Sequence, residues 1–270
     1  MSNREGAAER IDFAAWQFVA ARAAAEGFNA FPGDVPTDLS TAYAIQQAAT
    51  RLWPDTVGGW KVGRIPAALE ADLGAERFAG PIFARTIVEG DAASPADFPV
   101  HRGGFGAVEA EIVLRLGHTP PPQKQWTAGE AAALIGSVHI AIEVAGSPLA
   151  TIMQLGPTAS IAAFGNNSGL ILGPAISDWA GLGPITCATM IDDDQVGNII
   201  VDDLTGPMAA LAFALEQAHR LGSPLREGDL VSTGALTGVH PIDIGQHALA
   251  DFGALGSISC RAVPARPLAA

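Results

Sequence analysis

Apolar residues recur at helical spacing near the start of the chain. Ile11, Ala14, Ala15, Phe18, Val19 and Ala23 share one face of a 3.6-residue repeat, which predicts a helix over residues 6–27 with Gly27 as its stop. A Gly/Pro/Asn/Asp loop follows at 28–38. A second helix is predicted from about Ser40 to Leu52, with Ser40 or Thr41 near its start and Pro54 just past its end. Beyond Gly58-Gly59 short apolar runs alternate with turn residues, the rhythm of a β-rich fold. Strands are predicted at Trp60–Arg64, Pro81–Val88, Val108–Leu116, Val138–Ala145, Leu170–Leu172, Thr186–Ile191, Ile199–Val201, Leu230–Thr233, Ala248–Phe252 and Gly256–Arg261, with a hairpin turn at Asp192–Asn198. Helices interrupt the series at Ala128–Leu134 and Met208–Leu221, and the Ala/Pro tail at 262–270 reads as frayed or loosely packed. The division expected is a helical region at 1–57 and a mixed-β catalytic domain at 58–270.

Composition narrows the function classes. Apolar residues make up 49% of the 270 and charged ones 16%, which suits a well-packed globule or an oligomer rather than a disordered chain. No apolar run reaches the ~18–20 residues that span a bilayer, and the N-terminus lacks a basic patch followed by an apolar core, so no membrane association is expected. Cys187 and Cys260 fit neither a disulfide framework nor a metal spacing, and a cytoplasmic location is expected. Net charge is −13, with 15 Lys+Arg against 28 Asp+Glu, which leaves little material for a nucleic-acid-binding face.

The candidate chemistry lies in three acidic residues. On a strand the side-chain period is two, so Glu109 and Glu111 point to one face of Val108–Leu114. Glu143 stands alone among the β-branched residues of Val138–Ala145. Carboxylates in apolar segments need solvent, a proton or a cation. One hard divalent ion, Mg²⁺ or Mn²⁺, would answer all three, and the lack of a His/Cys cluster argues against zinc. The alternative is a solvated outer face for Glu109 and Glu111, with Glu143 marking a strand end.

Lys61, one of only two lysines, sits between glycines in Gly58-Gly59-Trp60-Lys61-Val62-Gly63. It either binds a carboxylate and moves protons or packs its stem with its head in water. Ser232-Thr233-Gly234, after a short strand, either cradles a carboxylate or forms an ordinary glycine turn. His139 falls on the Glu143 face, either as a partner to it or as a structural histidine. No Ser/His/Asp elbow, Cys/His dyad, Walker loop or dinucleotide fingerprint is present.

Gly-Trp-Lys-Val-Gly (59–63), Val-Glu-Ala-Glu-Ile (108–112), Ala-Ile-Glu-Val (141–144), Phe-Gly-Asn-Asn-Ser-Gly (164–169) and Arg-Glu-Gly-Asp-Leu-Val-Ser-Thr-Gly-Ala (226–235) occur in that order. Together they resemble the 2-keto-4-pentenoate hydratase / 4-oxalocrotonate decarboxylase family of the fumarylacetoacetate hydrolase superfamily, over about Leu39 to Arg261. The resemblance implies an α+β fold, a mixed β-sandwich roll behind N-terminal helices. It implies Mg²⁺ or Mn²⁺ at Glu109, Glu111 and Glu143, catalytic Lys61 beside a small 2-oxo acid, and the Ser232, Thr233, Gly234 loop around the substrate carboxylate. It further implies a homo-oligomer working in aromatic-compound breakdown. The expected reaction is hydration of a 2-hydroxy-2,4-dienoate to a 4-hydroxy-2-oxo acid. Decarboxylation of a 2-oxo-3-enedioate, hydrolysis of an acylpyruvate, and a non-catalytic partner subunit are the alternatives. Two positions depart from the family pattern. Phe78 stands where relatives often carry an acid, and Ala163 stands where they often have Asp. A basic residue near the distal substrate end would favour decarboxylation, with Arg64 and Arg115 as the candidates.

Overall fold

The computed structural model describes residues 3–123 and 125–268. Helices α1 (Asn3–Ala24) and α2 (Leu39–Leu52) come first, followed by β1 (Val57–Arg64), α3 (Ala67–Leu73), β2 (Arg77–Phe83), β3 (Ile87–Glu89), β4 (Ala96–Val100) and β5 (Phe105–Leu116). Then come α4 (Ala128–Ala132), β6 (Ile135–Ser147), α5 (Ile152–Leu155), α6 (Pro157–Ala162), β7 (Asn167–Ala175), β8 (Ile185–Ile191) and β9 (Asp194–Val201). The chain closes with α7 (Thr205–Arg220), β10 (Leu230–Ser232), β11 (His240–Pro241), β12 (His247–Asp251) and β13 (Ser257–Pro264).

The strands form two mixed sheets. The first runs β2-β1-β10-β5-β6-β7-β3, with β11 also paired to β5, and the second runs β4-β13-β12-β8-β9. Pairs β1–β10, β3–β7 and β4–β13 are parallel. Alternation along β5 and β6 decides the layering. Val108, Ala110, Ile112 and Leu114 join Ile140, Ile142 and Val144 in a core shared with Cys187, Ala250 and Ile258 of the second sheet and Leu211 of α7. The opposite face carries Glu109, Glu111 and Glu143 above a smaller apolar floor of Ile82, Val113, Ala141, Leu170, Leu172 and Leu230. Helices α1 and α2 pack through Phe18, Ile45 and Ala49 onto Phe83, Ile152 and Phe164. No described helix is long and apolar enough to cross a membrane.

Several predicted boundaries move, each for a local reason. Helix α2 begins one residue before the predicted start, and its cap is Asp38, whose Oδ1 accepts from the Thr41 N–H at 2.8 Å. Helix α1 stops at Ala24 with Ala25 in the left-handed region (φ 57°), before Gly27. Gly27 serves a close approach instead, since a Cβ there would lie 2.2 Å from the Gly103 backbone. The Asp192–Asn198 turn shrinks to Asp192-Asp193, because Asp194–Asn198 belong to an edge strand that lies in solvent and needs no apolar residues. The Pro81–Val88 run breaks at a short 3₁₀ turn (Ala84–Thr86), while β2 starts earlier, at Arg77. The start of the Ala/Pro tail is tied down: β13 runs to Pro264, Ala265 N–H donates to Val100 O, and Leu268 N–H donates to Ala23 O. Residues 269 and 270 lie outside the described residues. Cys187 and Cys260 are free and buried in the second sheet, and burial pushes both thiols up to about 12.

Candidate metal centre

The antiparallel register of β5 and β6 sets Glu109 opposite Glu143 and Glu111 opposite Ala141. All three glutamates are buried, and one oxygen of each lies within 4.8 Å of the others. A solvated outer face is therefore ruled out. Lys61 enters from β1, in register with Ser232 of β10. Its Nζ lies 3.5 Å from Glu143 Oε1, a buried ion pair, so its head does not reach into solvent. Asn167 Nδ2 donates to the same Oε1 at 3.0 Å. On the other side Ser232 Oγ (2.5 Å) and the Gly234 N–H (2.9 Å) both donate to Glu111 Oε2.

Two buried oxygens in this cluster, Glu111 Oε1 and Glu143 Oε2, have no hydrogen-bond partner among the described residues. Leaving such acceptors unpaired costs about 1–3 kcal/mol each, and more for charged groups. A divalent cation held by carboxylate oxygens meets that need, and an all-oxygen donor set suits Mg²⁺ or Mn²⁺. The residues present fit the ion.

Electrostatics point the same way. Burial pushes the Glu109 carboxyl up to about 7, with Lys61 opposing and Glu143 adding to the rise. Glu111 is held well above the usual carboxylate range by burial and by the charges of Glu143 and Glu109. Burial works against the Lys61 ammonium, but Glu143, Glu109 and Glu111 outweigh it and hold the lysine charged.

A stability prediction follows. A carboxyl whose pKa rises from 4.5 unfolded to about 7 folded favours the fold fully below pH 4.5 and loses that contribution as pH climbs through 7. In the metal-free protein at pH 8 the loss is on the order of 3 kcal/mol. Glu109→Gln is expected to raise the metal-free melting temperature at pH 8 by about 5–10 °C and to change little at pH 4.5. Thermal melts in chelator at the two pH values check this; equal melting of variant and wild type at pH 8 would refute it.

A cavity of about 600 Å³ reaches the cluster at Glu109, and Lys61, Thr233 and Gly234 line it beside that residue. Ser232 lies fully buried beneath it and serves Glu111, while Thr233 Oγ1 donates to Ile112 O at 2.8 Å. Phe78 occupies the place beside the lysine, with Nζ 5.2 Å from its ring centroid, a cation–π contact. His139 stays away from Glu143, its ring nitrogens meeting Ser137 Oγ at 2.9 Å and Gly173 O at 3.0 Å. It is a structural histidine. Arg64 lines the cavity and Arg115 does not; Arg77, which pairs with Arg64 in register, lines it too and was not anticipated. Asn167 was missed as well, although the Asn-Asn pair just ahead of an apolar strand was visible.

Residues 86–262 match the fumarylacetoacetate (FAA) hydrolase C-terminal family, a segment that contains all three glutamates and Ser232–Gly234. The chain belongs to this family. The whole fold has solved counterparts. The 4-oxalocrotonate decarboxylase of Pseudomonas putida G7, complexed with magnesium and adipate, superposes with a TM-score of 0.74 at 18% identity, covering 97% of this chain and 99% of its own. The same enzyme with calcium and acetate gives 0.74 at 19% identity, over 94% of this chain and 98% of its own. Fumarylpyruvate hydrolase from Pseudomonas aeruginosa, complexed with Mn²⁺ and pyruvate, gives 0.56 at 20% identity over 76% and 88%. At these identities the likeness shows the fold of this FAA hydrolase family member: a mixed α+β roll with N-terminal helices. Lys61 and Phe78 lie ahead of the matched segment, in the part that only the structural likeness covers.

Proposed function

We propose that this protein is a divalent-metal-dependent lyase of small 2-oxo acids that hydrates 2-hydroxy-2,4-dienoates to 4-hydroxy-2-oxo acids. The observation that carries the reading is the buried Glu109, Glu111, Glu143 cluster with two unsatisfied oxygens, beside a charged lysine on a cavity wall. A bound Mg²⁺ or Mn²⁺ supplies Lewis-acid stabilisation of negative charge developing on the substrate's 2-oxygen. Lys61 lines the cavity, where its role is to orient the C1 carboxylate and pass a proton during ketonisation. Thr233 and Gly234 line the carboxylate side, their own donors being held by Ile112 O and Glu111, and Phe78 and Leu236 exclude water from the apolar chain. The known ligands of the solved relatives, adipate and pyruvate with Mg²⁺ or Mn²⁺, are of the same chemical kind. The reading places the protein in the cytoplasm, in aromatic-compound catabolism, as a homo-oligomer.

A second reading, decarboxylation of a 2-oxo-3-enedioate, is favoured by Arg64 and Arg77. Among the described residues neither lies within ion-pairing distance of a carboxylate, so the cavity offers two cations to a second acid group. Purified protein with Mn²⁺ and 2-hydroxypenta-2,4-dienoate is expected to lose the dienol ultraviolet absorbance. Persistence of that signal, with CO₂ released from 2-oxohex-3-enedioate, would replace the hydratase by the decarboxylase; no change with either substrate would sink both.

A further inference from the structure

Arg22 is the one buried arginine among the described residues, on a helix far in sequence from the metal centre. Its guanidinium carbon lies 5.1 Å from the Trp53 ring centroid, 5.4 Å from Phe83 and 5.0 Å from Phe164. The three rings close on one another at 5.5–6.4 Å, making a cage. Burial lowers its pKa to about 10, so it stays charged at neutral pH. Among the described residues its one hydrogen bond runs from Nη1 to the Asn167 backbone oxygen, at 2.8 Å.

That oxygen sits at an irregularity in the first sheet. Along β6 and β7, Glu143 faces Leu170 and Val144 faces Gly169, but Ala145 faces Asn167, so Ser168 is an extra residue in the ladder. Such a bulge re-aims the side chains before it. Without it, strict alternation from Leu170 would put Ser168 on the carboxylate face and turn Asn167 away. With it, Asn167 shares the face of Glu143 and donates to Glu143 Oε1 at 3.0 Å and to Gly169 O at 3.1 Å. Ser168 turns the other way, into space left by Gly146, where a Cβ would lie 2.6 Å from Ser168 Oγ.

The approach to the bulge is strained. Phe164, Gly165 and Asn166 are all left-handed, with φ of 57°, 71° and 61°. A bulky residue there costs on the order of 1–3 kcal/mol and persists only where its surroundings fix it. Phe164 is fixed by the Arg22 cage.

From this geometry we propose that Arg22 is a positioning residue for the metal centre: it holds the bulge in β7 that aims Asn167 at Glu143. The proposal rests on the cation-site reading above. A residue that bonds an ion's ligand, as Asn167 does, typically governs about 10–100-fold of metal affinity. Arg22 touches neither the cavity nor a glutamate, so its effect passes through Asn167.

The test is Mn²⁺ titration calorimetry on purified wild type, Arg22→Met, Arg22→Lys, Asn167→Ala and the Arg22→Met/Asn167→Ala double variant, with circular dichroism as the fold check. Arg22→Met and Asn167→Ala are each expected to weaken Mn²⁺ binding about 10-fold. The double variant should bind no more weakly than Asn167→Ala alone, because both act on one contact. Arg22→Lys keeps the charge but loses the planar fork that stacks among the rings, so it should fall between wild type and Arg22→Met. If Arg22→Met does not fold, Arg22→Lys carries the test. Wild-type affinity in whichever Arg22 variant folds, or losses that multiply in the double variant, would overturn the proposal. Absence of Mn²⁺ binding by the wild type would overturn the cation site as well, so the two failures are distinguishable.

Discussion

Replacing Glu143 by alanine is expected to abolish divalent-cation binding and turnover together. Glu143 is the hub of the cluster: Oε1 takes both the Lys61 ammonium and the Asn167 amide, and Oε2 is left facing no donor. Its loss leaves Glu109 and Glu111, two carboxylates on one strand face with no third donor across the sheet. The Mn²⁺ dissociation constant should rise more than the about 10–100-fold that a supporting residue carries. The fold should survive, because Lys61 keeps Glu109 and Glu111 as neighbours and the Asn167 amide keeps Gly169 O. Calorimetry with Mn²⁺ and a dienol absorbance assay read the two losses. Retained Mn²⁺ affinity in a folded Glu143→Ala protein would remove the three-carboxylate site.

Lys61→Met should separate what Glu143→Ala joins. Methionine keeps a side chain of similar length without its charge, so turnover should fall about 10²–10⁴-fold if the lysine moves protons and orients the acid. Cation binding should persist and tighten, since a positive charge 3.5 Å from a ligand oxygen opposes the ion. The metal-free variant should be destabilised by about 3–5 kcal/mol, because buried carboxylates lose their counter-charge, and Mn²⁺ should restore it. Turnover within tenfold of wild type, or loss of cation binding, would contradict this assignment.

The parts of the fold that depend on local periodicity were legible in the sequence. Strands β5 and β6 and the shared face of Glu109 and Glu111 follow from a period of two, and Glu143 stood out as a lone charge among β-branched residues. Their convergence did not follow, because it depends on which strands pair and in what register. Strand β9 was cut short because its solvent-facing residues look like a turn. Arg22 read as an ordinary helix residue: nothing near it in sequence shows that Trp53, Phe83 and Phe164 will close around it. Asn167 was hidden by the same cause, since a bulge decides its face and no alternation rule foresees an extra residue. Arg77 was missed because its strand was begun four residues late, at Pro81.

The division of labour along β5 has a consequence for how such a chain can change. Its even-numbered residues from Val108 to Leu114 hold the two sheets together, and its odd-numbered residues carry the carboxylates. Substitution at positions 109 and 111 changes the carboxylate cluster without touching the core between the sheets. Insertion or deletion of a single residue would drive both glutamates into hydrocarbon and expose isoleucine and leucine to the ion. New activities on this scaffold are therefore reachable by exchanging side chains, whereas the length of this one strand is closed to variation.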